Sequence, residues 1–68
     1  MMFDEYDVVQ AKRDLTPKVS KGTRGSIVMV HDPTAGDYEV EFVDGQGDHI
    51  ALLTVNAVDI EVDSPSQE

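Results

Sequence analysis

The sequence predicts an all-β domain of five short strands. Three observations predict it. Apolar and acidic residues alternate along Tyr38-Glu39-Val40-Glu41-Phe42, Gly- and Pro-containing turn signals separate runs rich in β-branched residues, and no stretch carries the spacing of an amphipathic helix. A chain of 68 residues has room for one core and buries only about 60% of its unfolded surface. It contains no cysteine, so no disulfide staples that core and no thiolate serves as nucleophile or zinc ligand.

The elements follow in order. Tyr6-Asp7-Val8-Val9-Gln10-Ala11 reads as a first strand, followed by a basic, irregular loop from Lys12 to Lys21 that contains Pro17. Ser26 to His31 reads as the second strand and Tyr38 to Val43 as the third, joined through Asp32-Pro33-Thr34-Ala35-Gly36-Asp37. Along the third strand the alternation places Tyr38, Val40 and Phe42 on one face and Glu39 and Glu41 on the other. Asp44-Gly45-Gln46-Gly47 is a hairpin signal in which Asp-Gly supplies positive φ, and Asp48 to Val55 is the returning strand. Val55 to Asp59 is too short for an α-helix and fits a 3-10 turn, which leads into a last strand at Ile60-Glu61-Val62.

This order is that of a small five-stranded SH3-like barrel with a 3-10 turn before the last strand. Closing the sheet hides edges that would otherwise pair with other chains. An OB-like barrel is the alternative, and it needs a longer chain and a helix. Residues 1–62 make a single domain, and 63–68 a disordered acidic tail. The expected core is Val8, Leu15, Val28, Val30, Tyr38, Val40, Phe42, Ile50, Leu52, Val58 and Ile60. The four successive apolar residues Ile27 to Val30 are explained if that strand is covered on both sides.

Charge is distributed unevenly. The five basic residues, Lys12, Arg13, Lys18, Lys21 and Arg24, all lie in the first 24 positions, while Gly25 to Glu68 holds ten Asp or Glu and no Lys or Arg. The formal net charge is −9. Such a surface repels phosphate backbones and attracts basic partners, though solubility or a saline cytoplasm accounts for it equally. The longest apolar runs are far below the roughly 20 residues that span a bilayer. Acidic residues follow Met1-Met2-Phe3 where a secretory signal needs basic ones, so an unprocessed, cytoplasmic protein is expected.

Lys21-Gly22-Thr23-Arg24-Gly25-Ser26-Ile27-Val28 resembles the glycine-centred element of KOW-type barrels, which needs positive φ or close backbone approach at Gly22 and Gly25. Taken with Tyr6-Asp7-Val8-Val9, Tyr38 to Phe42 and Ala51-Leu52-Leu53-Thr54, the pattern resembles the small bacterial family called domain of unknown function 4926, over about Tyr6 to Val62. That resemblance implies an SH3-like fold and supplies no catalytic residues. Members of such families often sit beside toxin-like genes, so the resemblance implies, by association, an antitoxin or immunity role.

The chemistry-bearing residues form no catalytic pattern. Ser20, Ser26 and the threonines share no spacing or elbow motif with His31 and His49, and so small a barrel has little room for a cleft between paired carboxylates. No enzyme activity and no cofactor are expected. His31, His49 and Asp32 or Asp48 would gather around zinc only if the two strand ends met, and solvated histidines beside turns are the simpler reading, so no metal is assigned. Asp44 to Asp48 lacks the glycine and glutamate of a calcium loop. The expected function is a protein-interaction module with an acidic surface at Glu39, Glu41, Asp44, Asp48 and Glu61 that meets a basic partner. One alternative is an RNA- or ribosome-associated barrel contacting nucleic acid through Lys21 and Arg24, with Tyr6, Phe3 or Tyr38 stacking on bases. Another is an accessory subunit of a larger enzyme.

Overall fold

The computed structural model describes residues 3–32, 34 and 36–63. Five strands form within them: β1 (Val8–Ala11), β2 (Arg24–Asp32), β3 (Asp37–Val43), β4 (His49–Asn56) and β5 (Ile60–Val62), with a 3-10 turn, Ala57–Asp59, between the last two. All pairs are antiparallel, and together they make one sheet in the order β4-β3-β2-β1-β5. β4 and β5 are its two ends, so this ladder does not itself close into a barrel. The predicted strands and the 3-10 turn all form, with ends shifted by one or two residues.

β3 is the spine. Tyr38, Val40 and Phe42 are buried and the intervening residues are half-buried, the period-2 pattern of a strand with one face on a core. Opposite them lie Ile27 and Val30 of β2 and Ala51, Leu53 and Val55 of β4. The core is completed by Phe3, Val9, Ala11, Val19 and Ile60. Phe3 packs edge-on against Tyr38, with ring centroids 5.6 Å apart, and its N–H donates to the Tyr38 hydroxyl at 3.2 Å. That bond gives the buried phenol oxygen a hydrogen-bond donor.

Several expected core residues are not core. Val8, Leu52 and Val58 are exposed, and Val28 is only half-buried. Leu15, Val30 and Ile50 are partly buried and pack against the cluster. In β1 the phase is reversed: Val9 faces Gly25 and Ala11 faces Ile60, so Val8 points outward. A slip of one residue exchanges the faces of an entire strand.

In β2 and β4 the cause is a bulge. The β2–β3 register shifts between Ile27 and Met29, so Val28 is the extra residue and Ile27 and Val30 both face inward although three positions apart. The run Ile27 to Val30 is therefore accommodated by a bulge, not by cover on both faces, since Met29 is exposed. A second shift in β2, between Val30 and Asp32, makes His31 an extra residue, and a third beside Phe42 leaves Ile50 as the extra residue of β4 and turns Leu52 outward.

The glycines of the 21–28 segment play two different parts. Gly22 has φ +90°, and its N–H donates to Ala11 O at 2.8 Å, turning the chain into β2. A Cβ on Gly25 would lie 2.7 Å from the Glu41 carbonyl oxygen and 2.8 Å from Val40 Cγ1, so only glycine lets β2 and β3 approach there. In the β3–β4 hairpin the positive φ falls on Gly47 (+86°) and not on Gly45. Gly47 N–H donates to Asp44 O and Asp44 N–H to Asp48 O, a three-residue loop closed by a left-handed glycine.

The basic loop is anchored from within. Val19 is fully buried, and the Thr16 hydroxyl accepts from the N–H groups of Lys18 and Val19. Asp63, grouped with the tail in the sequence reading, donates its N–H to Val8 O at 3.0 Å. The remaining tail, 64–68, lies outside the described residues.

Candidate functional site

Glu39 and Glu41 stand on the outer face of β3, where strand alternation puts them. Each is met by a histidine from a neighbouring strand. His31 Nε2 on β2 lies 2.6 Å from Glu39 Oε1, and His49 Nδ1 on β4 lies 3.1 Å from Glu41 Oε2. The Thr54 hydroxyl donates to Glu39 Oε1 at 3.0 Å. Glu39 is thereby the more covered of the two carboxylates, its side chain 22% exposed against 43% for Glu41. The His31 hydrogen bond, then that from Thr54, holds the Glu39 carboxyl below the usual glutamate range, against a smaller opposing effect of desolvation.

On the same face Asp37 lies two positions before Glu39 on β3, and Arg24, opposite Val43 on β2, is paired with Asp63. In register, Met29 and Thr54 flank Glu39 while Ser26 and Leu52 flank Glu41, and both Met29 and Leu52 are about half exposed. β3 and β4 contain no Lys or Arg. A negative patch with an apolar border results.

The other expected partner-binding residues do not all join this patch. Asp44 is occupied with its own turn, since its Oδ1 accepts from the N–H groups of Gln46 and Asp48 at 2.8 and 3.0 Å. Asp48 is exposed beside it, next to His49. Glu61 lies on β5, three strand positions from β3 or about 14 Å across the sheet, and its carboxylate accepts from Gln10 Nε2 at 2.7 Å. Strand order, which the sequence does not print, separates it from Glu39 and Glu41.

The basic alternative is placed as follows. Arg24 Nε pairs with Asp63 Oδ2 at 2.8 Å, and Lys21 gives its backbone N–H to the Asp14 carboxylate. Arg24 borders an open cleft of about 480 Å³, bounded also by Gly22, Thr23, Val43, Asp44, Gly45 and Ile50, so an aspartate lines the same cleft. Of the three aromatic residues considered for base stacking, Phe3 and Tyr38 are buried and only Tyr6 is exposed, at 74%. Stacking by Phe3 and Tyr38 is thus ruled out by their place in the core.

His31 and His49 do not meet. β3 runs between them, with His31 beside its start and His49 beside its end, because antiparallel neighbours on opposite flanks bring their chain ends to opposite ends of the strand they share. Among the described residues no three His, Asp or Glu side chains are grouped closely enough to hold a metal ion. The two His–Glu pairs were missed by sequence reasoning, although a signal exists: each histidine is eight residues from its glutamate, across a turn.

Among the described residues no helix is long and apolar enough to cross a membrane. No curated protein and no solved structure shows significant similarity to the chain. A family profile described as a domain of unknown function, DUF4926, matches residues 5–62, from the turn before β1 to the end of β5. The match takes in every strand, and the chain belongs to the DUF4926 family.

Proposed function

We propose that this domain is a non-enzymatic protein-interaction module, built on an SH3-like plan, whose acidic β3 face receives a basic partner. The observation that carries the reading is the pair Glu39 and Glu41, held side by side on the central strand of the β2-β3-β4 half of the sheet and bordered by half-exposed Met29 and Leu52. Neighbouring strands hold both carboxylates in place, so little side-chain freedom remains to be lost on binding. β3 and β4 carry no Lys or Arg, and Arg24 on the same face of β2 is paired with Asp63, so the face stays net acidic, which favours encounter with cations and disfavours nucleic acid. The apolar border gives a partner something to bury, as the centre of an interface requires.

The strand order, the nine-residue β2 with its two register shifts and the 3-10 turn before β5 support the SH3-like plan. Within this reading, an antitoxin or immunity protein covering the basic cleft of a toxin is the biological form proposed. Cytoplasmic action fits a chain without cysteine.

The test exchanges both glutamates for lysine. Capture from a native lysate on the immobilised unaltered chain is expected to retain a protein of high isoelectric point, identified by mass spectrometry. The Glu39→Lys, Glu41→Lys double variant is expected to lose it with an unchanged circular dichroism spectrum. Undiminished capture by the folded variant rejects the acidic face as the interface.

A further inference from the structure

The two ends of the sheet treat their free edges differently. β5 is three residues long and carries Glu61, features that discourage further pairing. β4 is eight residues long and contains no Lys, Arg, Asp, Glu or Pro. Proteins normally blunt an edge of that length with a charge, a proline, a bulge or a covering element; the bulge at Ile50 lies at the start of β4 and leaves Ala51 to Asn56 in unbroken register. Among the described residues β4 pairs with β3 alone.

The ladder identifies which backbone groups face this edge. Ala57 N–H donates to Gly36 O at 2.7 Å, and antiparallel pairs alternate between those that exchange hydrogen bonds and those that do not. Counting along the register, Val55 and Leu53 exchange bonds with Tyr38 and Val40, while Thr54 and Leu52, opposite Glu39 and Glu41, turn their N–H and C=O away from β3. The row ends at Asn56, whose N–H is taken by the Asp59 carboxylate at 3.1 Å. Two outward-facing residues are left as a template, one strand from the two glutamates.

We infer that the free edge of β4 accepts an extended basic segment of a partner as a sixth strand. Its backbone pairs with Leu52 and Thr54, and Lys or Arg on its outer face reaches over them to Glu41 and Glu39. Adding a strand to an exposed edge is a general mode of peptide recognition, in which the main chain supplies affinity and alternate side chains supply specificity. Charge complementarity selects the occupant. A second copy would bring another β4 without a cation toward two glutamates, and each chain carries −9. A strand alternating apolar and basic residues satisfies both the uncharged edge and the acidic row behind it.

This inference rests on the interaction reading above and is tested apart from it. The probes are short blocked peptides alternating valine with lysine or valine with glutamate, added to the isotope-labelled chain at low salt. The lysine peptide is expected to bind and to slow amide exchange of Leu52 and Thr54 by about tenfold or more; the glutamate peptide is expected to do neither. Thr54→Pro, which removes an N–H not used by β3, is expected to abolish binding while leaving the sheet intact, as proline is tolerated on an edge. If that variant fails to fold, exchange in the unaltered chain decides alone. Binding of the lysine peptide without slowing at Leu52 and Thr54, or equal binding by folded Thr54→Pro, overturns the edge and leaves the acidic face standing. No binding at all overturns both. Concentration-dependent protection of the same two amides without peptide assigns the edge to a second copy and overturns the basic occupant.

Discussion

One carboxylate oxygen of Glu39 lies 2.6 Å from His31 Nε2 and 3.0 Å from Thr54 Oγ1, so a single side chain on β3 links β2 to β4 across the outer face of the sheet. These contacts depress the Glu39 carboxyl below its ordinary value, the His31 hydrogen bond contributing most. A folded-state value below the unfolded one means stability that is present above the ordinary glutamate range and lost as pH falls through the folded value. Carboxyl-carbon NMR is expected to find Glu39 titrating below an ordinary glutamate and moving back toward it in His31→Ala. An ordinary Glu39 titration in the unaltered chain counts against the contact.

Gly25→Ala is expected to cost about 1–3 kcal/mol, because the new methyl meets the backbone carbonyl of Glu41 and neither strand can yield without shifting the Val40 and Phe42 side chains. Urea unfolding midpoints measure it. A midpoint equal to that of the unaltered chain would mean that β2 and β3 are farther apart at this point.

Asp59 joins three segments. One of its oxygens accepts from Arg13 Nε and Nη2 at 3.0 and 2.8 Å, the other from Asn56 N–H, and its own carbonyl accepts from Lys12 N–H. Asp59→Ala removes both side-chain links and is expected to cost about 1–2 kcal/mol, in the range of a lost cap. Arg13→Ala, whose side chain is 65% exposed, removes only the ion pair and is expected to cost less than about 1 kcal/mol. Equal losses would place the contribution of Asp59 in the ion pair rather than in the capping of the 3-10 turn.

Tyr6 adopts φ +72° and is 74% exposed, so the cost of about 1–2 kcal/mol for a residue bearing a bulky side chain is set against little burial. Tyr6→Asn is expected to raise the unfolding free energy by roughly 1 kcal/mol, since asparagine tolerates the left-handed region. A fall in stability on this substitution would reveal a contact of the Tyr6 ring that offsets the strain.

Much of the site was legible from Tyr38 to Phe42, because alternation over five positions has only one strand phase that buries the aromatic residues. The edge residues were less legible. Leu52 read as core because Ile50-Ala51-Leu52-Leu53 offers apolar residues in both phases, and the bulge that decides between them depends on how β4 meets β3. The same is true of Val8 against Val9, where two equal side chains compete and Gly25 across the strand leaves room for Val9. Phe3 and Val19 sit outside any periodic segment, and nothing local marks them as buried.

The residues alone determined the class of fold, the strands in their order, the need for glycine at 22 and 25, and the acidity of everything after Arg24. These are local properties, set by backbone sterics, turn chemistry and charge, and they hold whatever the strands later pair with. Tertiary structure alone decided that His31 and His49 each join a glutamate instead of each other, that Glu61 stands apart from Glu39 and Glu41, and that β4 has one partner strand among the described residues. Those outcomes depend on register and strand order, which are set by contacts between residues distant in the chain and by three register shifts that a period-2 pattern does not encode.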